Sequence, residues 1–154
     1  MFNAEDIAFM QIARTLSTLS KCVSKKVGCI IVKDRRMICA GYNGTPSGHV
    51  NCDCVFNAND FDRVRHHEFS ERFEIHAEMN AILFAAKEGI SIKGTTLYTT
   101  LQPCTQCVKN LIQSGISKIV YSDLYDLSGW DSETYAFLHA ADIQILHISN
   151  EPNK

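Results

Sequence analysis

Apolar positions recur along this chain at two periods, and the change from one to the other marks its elements. Ile7, Met10, Ala13 (or Arg14) and Leu16 fall at helical spacing. Asn3 can cap this first helix, with Asp6 in the dipole-favourable first turn, and the helix is expected to reach about Ser20. Val27 to Val32 and Met37 to Ala40 are short, β-rich apolar runs, and the polar Asp34-Arg35-Arg36 between them reads as a hairpin turn. From Gly41 to about Ser70 the chain becomes polar and rich in Gly and Asn. An irregular stretch of that length in a compact domain usually serves function. Beyond it a regular alternation is predicted: helix from His76 to Lys87 stopped at Gly89, strand Thr95 to Thr100, helix from Pro103 to about Ser114, strand Lys118 to Tyr121, helix Asp131 to Ala140 and a last strand Ile143 to Ile148. Strands alternating with helices after a hairpin imply an α/β fold, a three-layer α/β/α sandwich on a mixed five-stranded sheet. With no repeat, low-complexity tract or linker in view, residues 1–154 are read as one domain.

Composition narrows the class. The 154 residues are 45% hydrophobic and 21% charged, which excludes a disordered or collagen-like chain. Lysine and arginine number 15 against 17 acidic residues, a formal net charge of −2 with no long run of one sign, so no polynucleotide partner is expected. The longest apolar run, Ala81 to Ala86, is far short of the ~20 residues that cross a bilayer, so no membrane partner is expected either. Met1 to Asp6 is acidic and lacks the basic start of a secretory signal. Seven cysteines, an odd count without such a signal, favour a reducing cytoplasm in which thiols are available to a metal.

Two short motifs carry the chemistry. His76-Ala77-Glu78 opens one predicted helix, and Pro103-Cys104-Thr105-Gln106-Cys107 opens the next. Cys104 and Cys107 are three apart, so on a helix both sulfurs lie on one face and can grip one ion, and a first helical turn favours their thiolates. His76 supplies a third ligand. Three protein ligands leave a tetrahedral zinc one open position, the mark of a catalytic site. His76 and Glu78 point about 200° apart on a regular helix, so both can face the metal only if His76 is the non-helical cap. Two thiolates and an imidazole neutralise the zinc charge, which leaves a base to be supplied nearby; Glu78 is the expected proton carrier. The ordered pair H-x-E and P-C-x-x-C is the signature of zinc-dependent deaminases.

The whole chain resembles the deoxycytidylate (dCMP) deaminases of the cytidine deaminase superfamily, most closely the T-even bacteriophage type. The resemblance runs through Ser20-Lys21-Cys22, Lys26-Val27-Gly28, Gly41 to Gly48, Asn51-Cys52, Glu74 to Ala86, Pro103 to Cys107, Gln113 to Ile116, Gly129-Trp130-Asp131 and Ala141 to Ile143. It implies hydrolytic deamination of dCMP to dUMP, with His76, Cys104 and Cys107 on zinc and Glu78 as proton shuttle. It further implies that Asn43 contacts the deoxyribose, that Ala77 and Thr100 line the base pocket, and that Ser24 and Tyr125 lie near the 5′-phosphate. Regulation by dCTP as activator and dTTP as inhibitor, each with Mg²⁺, is implied for a homo-hexamer, with the effector on Gly41, Tyr42, Gly44 and Thr45 near Phe84 and Lys87. A second, structural zinc is implied at Cys22, Cys52 and His66, its fourth ligand left open.

Of the remaining cysteines, Cys29 and Cys39 lie in apolar strands and are read as small buried hydrophobes. His49, His139 and His147 are read as structural or surface residues. Two other readings compete: deamination of dCTP, free cytidine, guanine or a tRNA adenosine, and a non-catalytic zinc-stapled nucleotide-binding protein. Glu78 separates the last from an enzyme, because a purely structural site has no use for a carboxylate beside an open metal position.

Overall fold

The computed structural model describes residues 3–126 and 128–149; Met1 and Phe2, which open the acidic N-terminus, lie outside them. Helix α1 (Ala4–Ser17) is followed by the hairpin β1 (Gly28–Lys33) and β2 (Arg36–Tyr42). Two helices, α2 (Cys52–Val55) and α3 (Arg63–Phe73), precede α4 (Ala77–Glu88), β3 (Thr96–Leu101), α5 (Thr105–Gln113), β4 (Lys118–Asp123), α6 (Ser132–Ala140) and β5 (Gln144–His147). The expected mixed five-stranded sheet is present, in the order β2-β1-β3-β4-β5. Strand β1 is antiparallel to both neighbours, whereas β3, β4 and β5 run parallel, as crossovers through α5 and α6 require.

Helices cover both faces. Met10 and Ala13 of α1 pack with Ile30, Tyr98 and Val120 on one side. Ala81, Val108, Leu111 and Leu138, from α4, α5 and α6, pack with Ile31, Leu97 and Ile119 on the other. Period-2 alternation sends neighbouring residues of each strand to opposite cores. At two strand positions a helix approaches so closely that only hydrogen fits. A Cβ on Gly28 would meet the Ala13 carbonyl oxygen at 2.2 Å, and one on Gly41 would meet that of Ala77 at 2.3 Å. The hairpin is thus clamped between α1 and the start of α4.

Asn3 caps α1 as expected: its Oδ1 accepts from the Asp6 backbone N–H at 2.9 Å, and Asp6 returns the contact to the Asn3 N–H at 3.0 Å. The hairpin turn places Asp34 and Arg35 at φ of 48° and 62°, the left-handed pair that matches strand twist. One expectation fails. The stretch from Gly41 to about Ser70, read as irregular, contains α2 and most of α3, with Asp62 capping the Val64 and Arg65 N–H groups. Inward from α3, Phe69 and the buried His66 pack not on the main core but on a satellite cluster of Cys22, Cys52 and Phe56.

Candidate metal centre and active-site pocket

The parallel half of the sheet ends where α5 begins, and the start of α4 meets it there. Both helices open with a ligand at the cap position. His76, with φ −64° and ψ 152°, is the extended N-cap of α4, and Cys104, with φ −69° and ψ 164°, is that of α5; neither side chain makes a capping hydrogen bond. The geometric condition on His76 and Glu78 is met: one lies outside the helix and the other in its first turn. Cys104 itself precedes the helix, with Cys107 in the first turn, so an extended residue and a helical one bring the two sulfurs together. Trp130 holds this entry in place by donating its ring N–H to the Pro103 carbonyl at 2.6 Å.

His76 Nδ1 lies 3.5 Å from Cys104 Sγ and 3.4 Å from Cys107 Sγ. Ordinary Zn–S and Zn–N bond lengths at a tetrahedral angle separate such donor atoms by about 3.6 Å, so the three fit one zinc ion. Hydrogen bonds from Cys107 and His76 hold the Cys104 thiol well below its ordinary value, which favours the thiolate a metal takes. Glu78 is buried beside them. Its Oε1 accepts from the Thr99 hydroxyl at 3.2 Å, and its Oε2 lies 3.6 Å from Cys107 Sγ. Burial pushes the Glu78 carboxyl above the ordinary carboxylate value, against the opposing pull of backbone N–H and His76.

His76, Glu78 and Cys104 line a cavity of about 420 Å³. Ser24, Asn43, Ala77 and Tyr125 line it too. Asn43 bridges into the preceding loop, accepting from the Val27 N–H at 2.8 Å and donating to the Lys25 carbonyl at 2.8 Å. One N–H and one lone pair of its amide remain for a ligand. Lys25 crosses the mouth to Tyr125, with Nζ 3.8 Å from the ring centre and donating to the Tyr125 carbonyl at 2.9 Å.

Thr100 is a correction. Expected in the base pocket, its side chain turns to the opposite face of β3, where its hydroxyl accepts from the Gly28 N–H at 3.1 Å. Strand alternation makes Thr99 the residue that reaches Glu78. The Gly41-to-Gly48 loop is tied to the segment before α4 by paired hydrogen bonds of Gly44 with Ile75, at 3.1 and 2.8 Å. Gly41 is buried under α4, whereas Tyr42, Phe84 and Lys87 are exposed; Gly44 and Thr45 are half-buried, and the Thr45 hydroxyl is without a partner. Phe84 therefore belongs to no core.

A second group of donors stands beside the pocket. Cys22 Sγ lies 3.6 Å from His66 Nε2 and 3.5 Å from Glu74 Oε2, and the donor atoms of Cys22, Cys52, His66 and Glu74 all fall within 4.8 Å of one another. The buried Glu74 Oε1 has no hydrogen-bond partner, and burial raises both thiols, Cys52 to about 12. Two thiols, an imidazole and a carboxylate oxygen without a donor form a set that a cation satisfies. Sequence reasoning missed Glu74. The available signal was the extended Glu74-Ile75-His76, whose alternate residues leave on one side, toward both clusters.

Residues 3–123 match the model of the cytidine and deoxycytidylate deaminase zinc-binding region. The chain is 42% identical to the deoxycytidylate deaminase of Enterobacteria phage T2, over 90% of this chain and 89% of that protein. Against the deoxycytidylate deaminase of Saccharomyces cerevisiae it is 36% identical, over 94% of this chain and 45% of that one. Among solved structures, the dCMP deaminase of cyanophage S-TIM5 in complex with dCMP and dUMP superposes with a TM-score of 0.75, at 32% identity, covering 96% of this chain and 99% of that one.

Proposed function

This chain belongs to the cytidine and deoxycytidylate deaminase family of zinc-binding enzymes, and on that premise we propose that it hydrolyses dCMP to dUMP and ammonia. One observation carries the reading: a buried carboxylate, Glu78, beside three zinc-type donors at a nucleotide-sized cavity. His76, Cys104 and Cys107 hold the zinc, which when bound supplies Lewis-acid activation of water. Glu78 does the proton work. It takes one proton from the attacking water and places it on the ring nitrogen next to the amino-bearing carbon, then carries the second, left on the added hydroxyl, to the departing ammonia. Thr99 donates to Oε1, which leaves Oε2, beside Cys107, for the proton transfers. Asn43 and Ala77 place the sugar and base, and Ser24 and Tyr125 stand toward the 5′-phosphate.

A second, structural zinc is assigned to Cys22, Cys52 and His66, with Glu74 completing the set. Regulation by Mg·dCTP and Mg·dTTP is assigned to the Gly41-to-Gly48 loop with Phe84 and Lys87. The exposure of Tyr42, Leu83, Phe84 and Lys87 suits a subunit interface of a homo-hexamer. Among the described residues no helix is long and apolar enough to cross a membrane, and no cysteine is paired in a disulfide.

The test is initial-rate measurement on dCMP, dCTP and deoxycytidine with the zinc-loaded protein. dCMP should be deaminated with the highest kcat/KM, and absence of dUMP would remove the assignment. A preference for dCTP or the free nucleoside would move it elsewhere in the superfamily. Mg·dCTP should lower the half-saturating dCMP concentration and Mg·dTTP raise it; flat responses to both would leave the deaminase without its regulation.

A further inference from the structure

Helix α3 turns one face to the pocket. Its lining residues, Arg63, His66, His67, Ser70 and Glu71, recur at i, i+3, i+4, i+7 and i+8, the stripe of a single helix side. Most charged groups on this face and around it are engaged. His67 pairs with Glu71 at 3.4 Å, His66 and Glu74 belong to the Cys22 cluster, and Glu78 accepts from Thr99. Arg63 is different. Among the described residues no carboxylate lies within ion-pair distance of it, and its only recorded partner is the Phe61 ring, 5.8 Å from the guanidinium carbon. Across the pocket Lys25 is held by Tyr125, with Asp126 near enough to feel its charge but outside ion-pair distance. The cavity thus carries two cations, one on α3 and one on the loop after α1, neither of them in an ion pair.

We propose that Arg63 is the specificity residue that selects a phosphorylated substrate, binding the 5′-phosphate together with Lys25. The inference rests on the dCMP reading and deepens it. A guanidinium offers a planar fork of donors to phosphate oxygens, and a dianion answers the two cations together. A neutral nucleoside leaves both without an ion-pair partner. The Phe61 ring under the guanidinium restricts its motion, so little ordering remains when the phosphate arrives.

The experiment compares wild type, Arg63→Ala and Arg63→Lys on dCMP and deoxycytidine, with inorganic phosphate as competitive inhibitor. A charge-assisted contact of this kind predicts a fall of about 10- to 100-fold in kcat/KM for dCMP in Arg63→Ala, carried mainly by KM. Deoxycytidine should change by less than about twofold, inhibition by phosphate should weaken in step, and lysine should restore part of the loss. Equal losses on both substrates, or no change on either, would overturn the proposal. If the wild type deaminates neither compound, the deaminase reading fails by itself. Calorimetric binding of dCMP and deoxycytidine to wild type and Arg63→Ala then still decides: a preference for dCMP that vanishes in the variant supports the assignment, and one that survives refutes it.

Discussion

Replacing Glu78 by glutamine removes a titratable site while keeping the shape of the side chain. The carbonyl oxygen of glutamine can go on accepting from the Thr99 hydroxyl, now 3.2 Å from Oε1. Its amide nitrogen then stands where Oε2 faces Cys107 Sγ, and an N–H toward a thiolate is a favourable contact. Zinc content should therefore stay at the wild-type value. Stability should not fall either, because a buried carboxylate is held against a desolvation penalty that a neutral amide does not incur. Turnover should fall steeply. General acid–base catalysis contributes about 10²- to 10⁴-fold, and one residue here serves as base and then as acid, so kcat should drop at least 100-fold, about 2.7 kcal/mol in barrier height. The assay is the absorbance change of dCMP conversion at saturating substrate, with zinc measured on the same sample. A variant with full zinc and more than roughly a tenth of wild-type kcat would refute the shuttle role.

Three further outcomes follow from the geometry. Metal analysis should return two zinc ions per chain, and Cys52→Ser should return one while the His76 site stays filled; an unchanged count would remove the second site. Gly41→Ala forces a methyl to within 2.3 Å of the Ala77 carbonyl oxygen, so it should destabilise by about 1–3 kcal/mol and lower activity through displacement of α4, read by denaturant unfolding and kcat together; a neutral result would show that the helix shifts freely. Asp6 concerns pH. Burial alone would raise its carboxyl, but the Asn3 N–H, the Tyr98 hydroxyl at 2.8 Å and Lys118 outweigh burial and hold it below the ordinary 3.8. A depressed carboxyl contributes stability above the unfolded value that is lost as pH falls through the folded one. The melting-temperature gap between wild type and Asp6→Asn should be full at pH 6 and shrink below pH 3.8, and a gap that widens in acid would reverse the sign.

The parallel half of the sheet and the first metal cluster were legible because their signals are local. Alternating Leu97, Tyr98 and Thr99 and the apolar face of α5 mark their elements, and the P-C-x-x-C spacing marks its ligands. Helix α3 was not legible. Its Arg63-Val64-Arg65-His66-His67 start exposes Val64 at 70% and buries a histidine, because its partner is the small satellite cluster of Cys22, Cys52 and Phe56 rather than the main core. Helical periodicity of hydrophobic residues reports poorly a helix whose inward face mixes Phe69 with the polar His66 and Ser70. The assignment of Thr100 failed by one residue, and in a strand one residue is the other side of the sheet.

The beginnings of the five longer helices, α1 and α3 to α6, fall into two kinds. Where α1, α3 and α6 begin, Asn3, Asp62 and Asp131 accept from first-turn N–H groups. Where α4 and α5 begin, the residue in that position is His76 or Cys104, and its side chain is turned to the metal set instead. Omission of a cap costs about 1 kcal/mol at each helix, so these two first turns are the ones that depend on the ion for their order. Removing zinc should then loosen the chain from the start: amide protons of Ala77 to Asn80 and of Thr105 to Val108 should exchange faster, while those of α1 and α6 keep their protection. Chelation would thereby do more than empty a catalytic position. It would unfasten the two segments that carry Glu78 and Cys107, so that reloading the metal also refolds the site.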